Sequence, residues 1–174
     1  MSVENLKSHL RTVPDFPKKG ILFWDVTTLF KDADCLKELL DILTDLYKDQ
    51  GITKVVGMES RGFVLGAALA TRIGAGFILA RKPGKLPAET IRESYAKEYG
   101  TDCIEIHTDA LSPDDVVLIH DDLLATGGTA AATERLVRKF GVTDIRLNFI
   151  IELVDLGGRK VFPAEDKVDS IIKV

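Results

Sequence analysis

Cysteine is almost missing from this sequence of 174 residues, and the two present, Cys35 and Cys103, form no Cys-x-x-Cys pair. A disulfide framework or a thiolate zinc site is therefore not expected. Long apolar runs are missing too. None approaches the roughly 18 residues a membrane-crossing helix needs, and the opening "MSVENLKSHLRTV" has no apolar signal core. Nor is there an excess of positive charge. With 23 basic against 27 acidic residues the net charge is −4, which argues against broad nucleic-acid binding but still allows a local basic pocket. No repeat, low-complexity tract or Pro/Ser-rich linker divides the chain. With 45% hydrophobic and 29% charged residues, it reads as one globular domain, 1–174, in a reducing cytoplasmic setting, with neither nucleic acid nor membrane as partner.

What is present is an alternation of strand-like and helix-like segments. "DADCLKELLDILTDLYKDQG" places Leu36, Leu39, Leu40, Leu43, Leu46 and Tyr47 on one helical face; Asp34 can cap its start and Gly51 can end it. "KVVGM" (54–58) reads as a buried strand, "RGFVLGAALATRIG" as a helix ending near Gly74, and "GFILA" (76–80) as a second strand. "VVLIH" (116–120) and "DIRLNFIIEL" (144–153) are two further strands around a helix from about Thr129 to Phe140. Such alternation implies an α/β fold, a mainly parallel sheet flanked by helices, with ligands bound at the carboxyl ends of the strands. One segment breaks the rhythm. "RKPGKLPAETIRESYAKEYGTD" (81–102) is polar, has two prolines and two glycines, and reads as a long loop of lid type; its Lys82, Lys85 and Arg92 would suit an anionic ligand.

The densest chemistry lies in "VVLIHDDLLATGGT". Gly127 and Gly128 let the backbone turn and approach a ligand closely, Thr126 and Thr129 add hydroxyls, and the following helix offers unpaired N–H groups. This suits a terminal phosphate. It is neither a Walker loop nor a G-x-G-x-x-G turn. Asp121 and Asp122 beside it would repel a bare phosphate, but they suit a ligand that also carries vicinal hydroxyls or a carbon gaining positive charge.

These residues resemble the phosphoribosyl-pyrophosphate signature of the type I phosphoribosyltransferases. "DFPKKGILFWDVTTLF" (15–30), "VVGMESRGFVLGAALA" (55–70) and "ARKPGKLPAETIRESYAKEYG" (80–100) narrow the resemblance to the branch acting on adenine, over roughly residues 10–160. The resemblance implies that fold with a small N-terminal hood (about 1–33) and a mobile lid (about 81–100). It implies transfer of a phosphoribosyl group from 5-phosphoribosyl-1-pyrophosphate to adenine, giving AMP and pyrophosphate, in a homodimer. Mg²⁺ would ride mainly on pyrophosphate and ribose hydroxyls, with no dedicated protein metal site.

Roles carried over by resemblance follow the motifs. Ala125, Thr126, Gly127, Gly128 and Thr129 cradle the 5′-phosphate, and Asp121 and Asp122 face the ribose. Glu59, Ser60 and Arg61 form the pyrophosphate loop, in which the Glu59–Ser60 peptide is expected to be cis. Lys82 and Lys85 neutralise pyrophosphate from the lid. Glu98 takes the proton from nitrogen 9 of the base, with Tyr99 beside it, so the catalytic set is Glu98, Arg61 and Lys85. The Leu22 backbone reads the base and the Phe23 ring stacks on it. Trp24 stands where many relatives have arginine, and His120 where the signature has an apolar residue. His120 is read as touching a neighbouring subunit or a partly solvated face. Two other readings remain open: a transferase for another base (hypoxanthine, guanine or orotate), and a non-catalytic sensor of the same ligand. A sensor that regulates through DNA should carry a helix-turn-helix or a basic flank, and the sequence shows neither.

Overall fold

The computed structural model describes residues 3–96, 100–164 and 166–174. In chain order the elements are α1 (Val3–His9), β1 (Arg11–Pro14), β2 (Leu22–Asp25), α2 (Thr27–Phe30), α3 (Ala33–Tyr47), β3 (Lys54–Met58), α4 (Gly62–Ile73), β4 (Gly76–Ala80), β5 (Thr90–Ala96), β6 (Thr101–His107), β7 (Val116–Leu124), α5 (Gly128–Arg138), β8 (Asp144–Glu152) and β9 (Lys167–Lys173). The central sheet has five strands in the order β4-β3-β7-β8-β9, and every pairing in it is parallel. β1 and β2 form an antiparallel pair near the N-terminus, and β5 and β6 form another.

The sheet is buried on both faces, as parallel sheets require. One face packs Val117, Ile119, Leu147 and Phe149 against α5 and the β5–β6 pair. The other packs Val55, Leu118 and Ile150 against α3 and α4. In α3, Leu39, Leu43 and Tyr47 are buried; Leu36 and Leu40 are half-buried, and Leu46 is 40% exposed at the edge of the apolar stripe. The helix is capped by Asp32 rather than Asp34. The extended backbone of Asp32 lets its carboxylate accept from Asp34 N at 3.1 Å and Cys35 N at 2.9 Å. α3 ends at Tyr47, so Gly51 serves the turn beyond it.

Two elements depart from the sequence reading. β7 continues through Leu124, so the paired acids sit inside the strand and not after it. The segment 81–102 is not one loop: Thr90–Ala96 pairs with Thr101–His107 as an antiparallel ribbon. Thr90, Ile91, Tyr95, Thr101, Ile104 and Ile106 supply the β-branched and aromatic content, but most of the partner strand lies past the polar window.

Candidate active site

Because the central strands are parallel, the segments following Met58, Ala80, Leu124 and Glu152 leave the sheet at one edge. The glycine loop leaves β7 there. Gly127 adopts φ +82°, and a Cβ on it would lie 2.6 Å from Gly158 O and 2.7 Å from Val161 Cγ2, so only glycine fits. Gly128 has an ordinary backbone, and its nearest neighbours to an added Cβ are Tyr95 Cδ2 at 3.8 Å and Ala96 O at 3.9 Å. The positive φ therefore belongs to Gly127, and the open approach to Gly128. The first N–H groups of α5 have no partner within the helix, and the residues that carry them, Gly128 to Ala130, line a cavity of about 110 Å³ together with Asp121, residues 125–127, Met58 and Phe149. Gly158 and Val161, which brace the loop from behind, carry no local sequence signal for that task.

The two acids diverge, as adjacent strand residues do. Asp121 lines the glycine-loop cavity; burial and the neighbouring charge of Asp122 push its carboxyl well above the usual range. Asp122 is buried and accepts a hydrogen bond from Arg61 Nε. Arg61 lies just before α4, and its guanidinium carbon stands 5.8 Å from the centre of the Phe23 ring. The Glu59–Ser60 peptide is cis. Glu59 accepts from Arg81 and from Lys82 N, and Ser60 is exposed. Arg81 escaped the sequence reading, although it stands beside Lys82 and reaches the same loop.

Lys82 Nζ is bonded to Asp102 and, at 3.1 Å, to Tyr95 Oη. Lys85 is exposed. Arg92 is exposed as well, and its carbonyl accepts from Lys139 Nζ of α5 at 2.9 Å, which holds the β5–β6 ribbon against that helix. Glu98 and Tyr99 lie outside the described residues.

Near the N-terminus, Leu22 and Trp24 line a mostly apolar cavity of about 670 Å³ together with Thr126, Leu153, Leu156 and Val174. Phe23 is absent from that lining. It packs edge-on against Phe16 at 5.1 Å and under Arg61. Leu153, Leu156 and Val174 were not foreseen, since they come from the far end of the chain. His120 touches no solvent. It is fully buried, its Nδ1 is 2.9 Å from Asn148 Oδ1 on β8, and burial pushes its pKa down to about 4. The expectation of a solvated or intersubunit face is thus corrected: alternation along β7 turns this side chain toward α4, where an added Cβ at Gly66 would meet its ring at 3.4 Å.

The glycine loop, the acid pair and the arginine-bearing loop thus gather at the carboxyl end of one parallel sheet, and the chain belongs to the family of the phosphoribosyl transferase domain, whose model matches residues 26–172. Within the family the similarity narrows. A relative from Phocaeicola vulgatus named adenine phosphoribosyltransferase is 65% identical over 172 residues, 99% of each chain. The crystal structure of adenine phosphoribosyltransferase from Rhodothermus marinus is 50% identical with a TM-score of 0.93, covering 99% of this chain and 98% of that one. A Giardia lamblia APRTase complexed with 9-deazaadenine is 41% identical with a TM-score of 0.94, covering 100% of this chain and 98% of that one.

Proposed function

We propose that this chain transfers the 5-phosphoribosyl group of 5-phosphoribosyl-1-pyrophosphate to adenine, giving AMP and pyrophosphate. One observation carries the reading: Thr126 lines both the small cavity of the glycine loop and the larger, mostly apolar cavity beside β2. A phosphate at one end of a sugar and a flat base at the other fit that shared wall. Relatives named for the same reaction support the choice of adenine.

Nitrogen 9 of adenine forms a bond to the anomeric carbon, while the carbon–oxygen bond to pyrophosphate breaks and its electron pair leaves with pyrophosphate. The sugar passes through an oxocarbenium-like state, so the chain's task is to orient, to stabilise charge and to exclude water. The loop 125–129 and the start of α5 hold the 5′-phosphate. Asp121 faces the ribose hydroxyls and the positive charge growing at the anomeric carbon. Arg61 and the cations of 81–85 meet the leaving group; for Arg61 this means exchanging its Asp122 partner for pyrophosphate, and for Lys82 its Asp102 partner. Glu98 accepts the proton of nitrogen 9, with Tyr99 beside it; these two roles rest on the resemblance. Leu22 and Trp24 line the base cavity, whereas a stacking role for Phe23 rests on the resemblance alone, since its ring packs against Phe16 and Arg61 outside that lining.

Mg²⁺ would enter the reaction on the substrate, where it would supply neutralising charge to pyrophosphate. The donor set fits such a hard cation: an aspartate and threonine hydroxyls line the phosphate cavity. Exposed Val64 on α4 and Leu79 on the edge strand β4 support a homodimer built on that face. Two free cysteines suit a cytoplasmic setting, and no helix among the described residues is long and apolar enough to cross a membrane. A spectrophotometric assay of the purified protein against adenine, hypoxanthine, guanine and orotate tests the function. Turnover confined to adenine is expected, and turnover of another base in its place would sink the reading.

A further inference from the structure

A carboxylate is an odd component for a loop that receives pyrophosphate. Glu59 opens the loop at the end of β3, and its side chain is mostly buried, 18% exposed. Its oxygens do not face an open anion site. Oε2 accepts from Lys82 N at 2.9 Å and from Arg81 Nε at 3.3 Å, and Oε1 accepts from Arg81 Nη2 at 3.2 Å. Its backbone N–H reaches the same segment, donating to Ala80 O at 2.9 Å. Burial alone would lift this carboxyl, but the Lys82 N–H and the Arg81 guanidinium outweigh it and hold it below the ordinary range.

The Arg81 guanidinium is fixed from a second side. Its carbon stands 5.8 Å from the ring centre of Phe63, on the first turn of α4. The rest of the segment is gripped from β6: Glu105 exchanges backbone hydrogen bonds with Arg81, and its Oε2 accepts from Gly84 N at 3.2 Å. Lys82 and Lys85 therefore emerge from a short stretch with fixed ends. The end nearest Arg61 is fixed by Glu59.

We propose that Glu59 is a positioning residue, whose carboxylate ties Arg81 and the Lys82 backbone to the 59–61 loop so that cations from both segments converge on one pyrophosphate. The inference rests on the function proposed above. An anion site without this tie would hold the same positive charges at a variable separation, and a doubly anchored ligand is sensitive to that separation.

The test uses the whole protein and two readouts. Binding of inorganic pyrophosphate is measured by calorimetry with and without Mg²⁺, and steady-state constants are measured for both substrates. Glu59→Ala is expected to weaken pyrophosphate binding and raise the KM for the phosphoribosyl substrate about tenfold, the scale of one charge-assisted hydrogen bond, with the KM for adenine changed less than about twofold. Glu59→Gln keeps an acceptor for the Lys82 N–H and should recover much of that loss. Arg81→Leu added to Glu59→Ala should cost much less than Arg81→Leu alone, because the two residues act as one unit. Unchanged pyrophosphate affinity in Glu59→Ala overturns the proposal. So does an equal rise in both KM values, which marks general damage, and so does a loss seen only with Mg²⁺, which would make the carboxylate a metal ligand. A wild-type protein that binds pyrophosphate but turns over no adenine would defeat the proposed function and leave this tie standing.

Discussion

Gly127 and Gly128 are neighbours with different tasks. Gly127 cannot carry a side chain, because its φ is +82° and Gly158 O and Val161 occupy the space. Gly128 is free of both constraints, and it lines the cavity in which the proposed function places the phosphate. Gly128→Val is therefore expected to leave thermal unfolding nearly unchanged, while raising the KM for the phosphoribosyl substrate by more than about tenfold through a branched Cβ in the ligand's path. Unchanged catalytic efficiency in that variant would count against the phosphate site. Trp24 belongs to this scale too, since it lines the larger cavity and also packs at the rim of the α3/α4 core. Trp24→Ala should raise the KM for adenine, yet keep the preference over hypoxanthine above about 10²-fold if the Leu22 backbone makes the choice, because mispaired buried polar groups are costly. Ready acceptance of hypoxanthine would assign the choice to the indole.

α3 carries Leu39, Leu43 and Tyr47 into the core, so its start matters beyond one turn. Removing the cap with Asp32→Ala should lower the melting midpoint of a chain this size by roughly 2–4 °C. The same change at Asp34, whose side chain does not cap, should do much less. An equal loss at both positions would show that the cap contributes nothing special. The elements readable in advance share one property. β3, α4 and β4 are apolar segments joined by short turns, and the quoted stretches 54–58 and 76–80 coincide with their strands. Among what escaped were the elements of the N-terminal 30 residues, β9, whose polar and half-buried alternation depends on β8 beside it, and the pairing of β5 with β6. The site divides in the same way. The glycine loop and the acid pair are local and legible, whereas Arg81, Leu153 and Gly158 reach it only through the fold.

Across the whole molecule, His120 links stability to pH. Its ordinary value of 6.5 is pushed down to about 4 by burial. The unfolded chain binds this proton below pH 6.5 and the folded chain does not, so stability is full above 6.5 and falls as pH drops toward 4. The slope from this one group approaches about 1.4 kcal/mol per pH unit within that window. His120→Leu should flatten the fall in denaturant midpoint between pH 6.5 and 4. It should also impose a constant offset, because Asn148 loses its partner. A variant that keeps the wild-type slope would show that carboxylates, not His120, govern acid sensitivity.

The wall that Thr126 shares between two cavities also makes the site bivalent. A molecule that fills both sides binds its second half at the local concentration set by its own covalent bridge, which for a short link is on the order of millimolar. On the proposed function, AMP would gain this advantage, whereas free adenine and free ribose phosphate would each engage one side only. Affinity for the nucleotide should therefore exceed what its two halves bring separately, and compounds with a bridge of matching length and stiffness should bind better than either fragment.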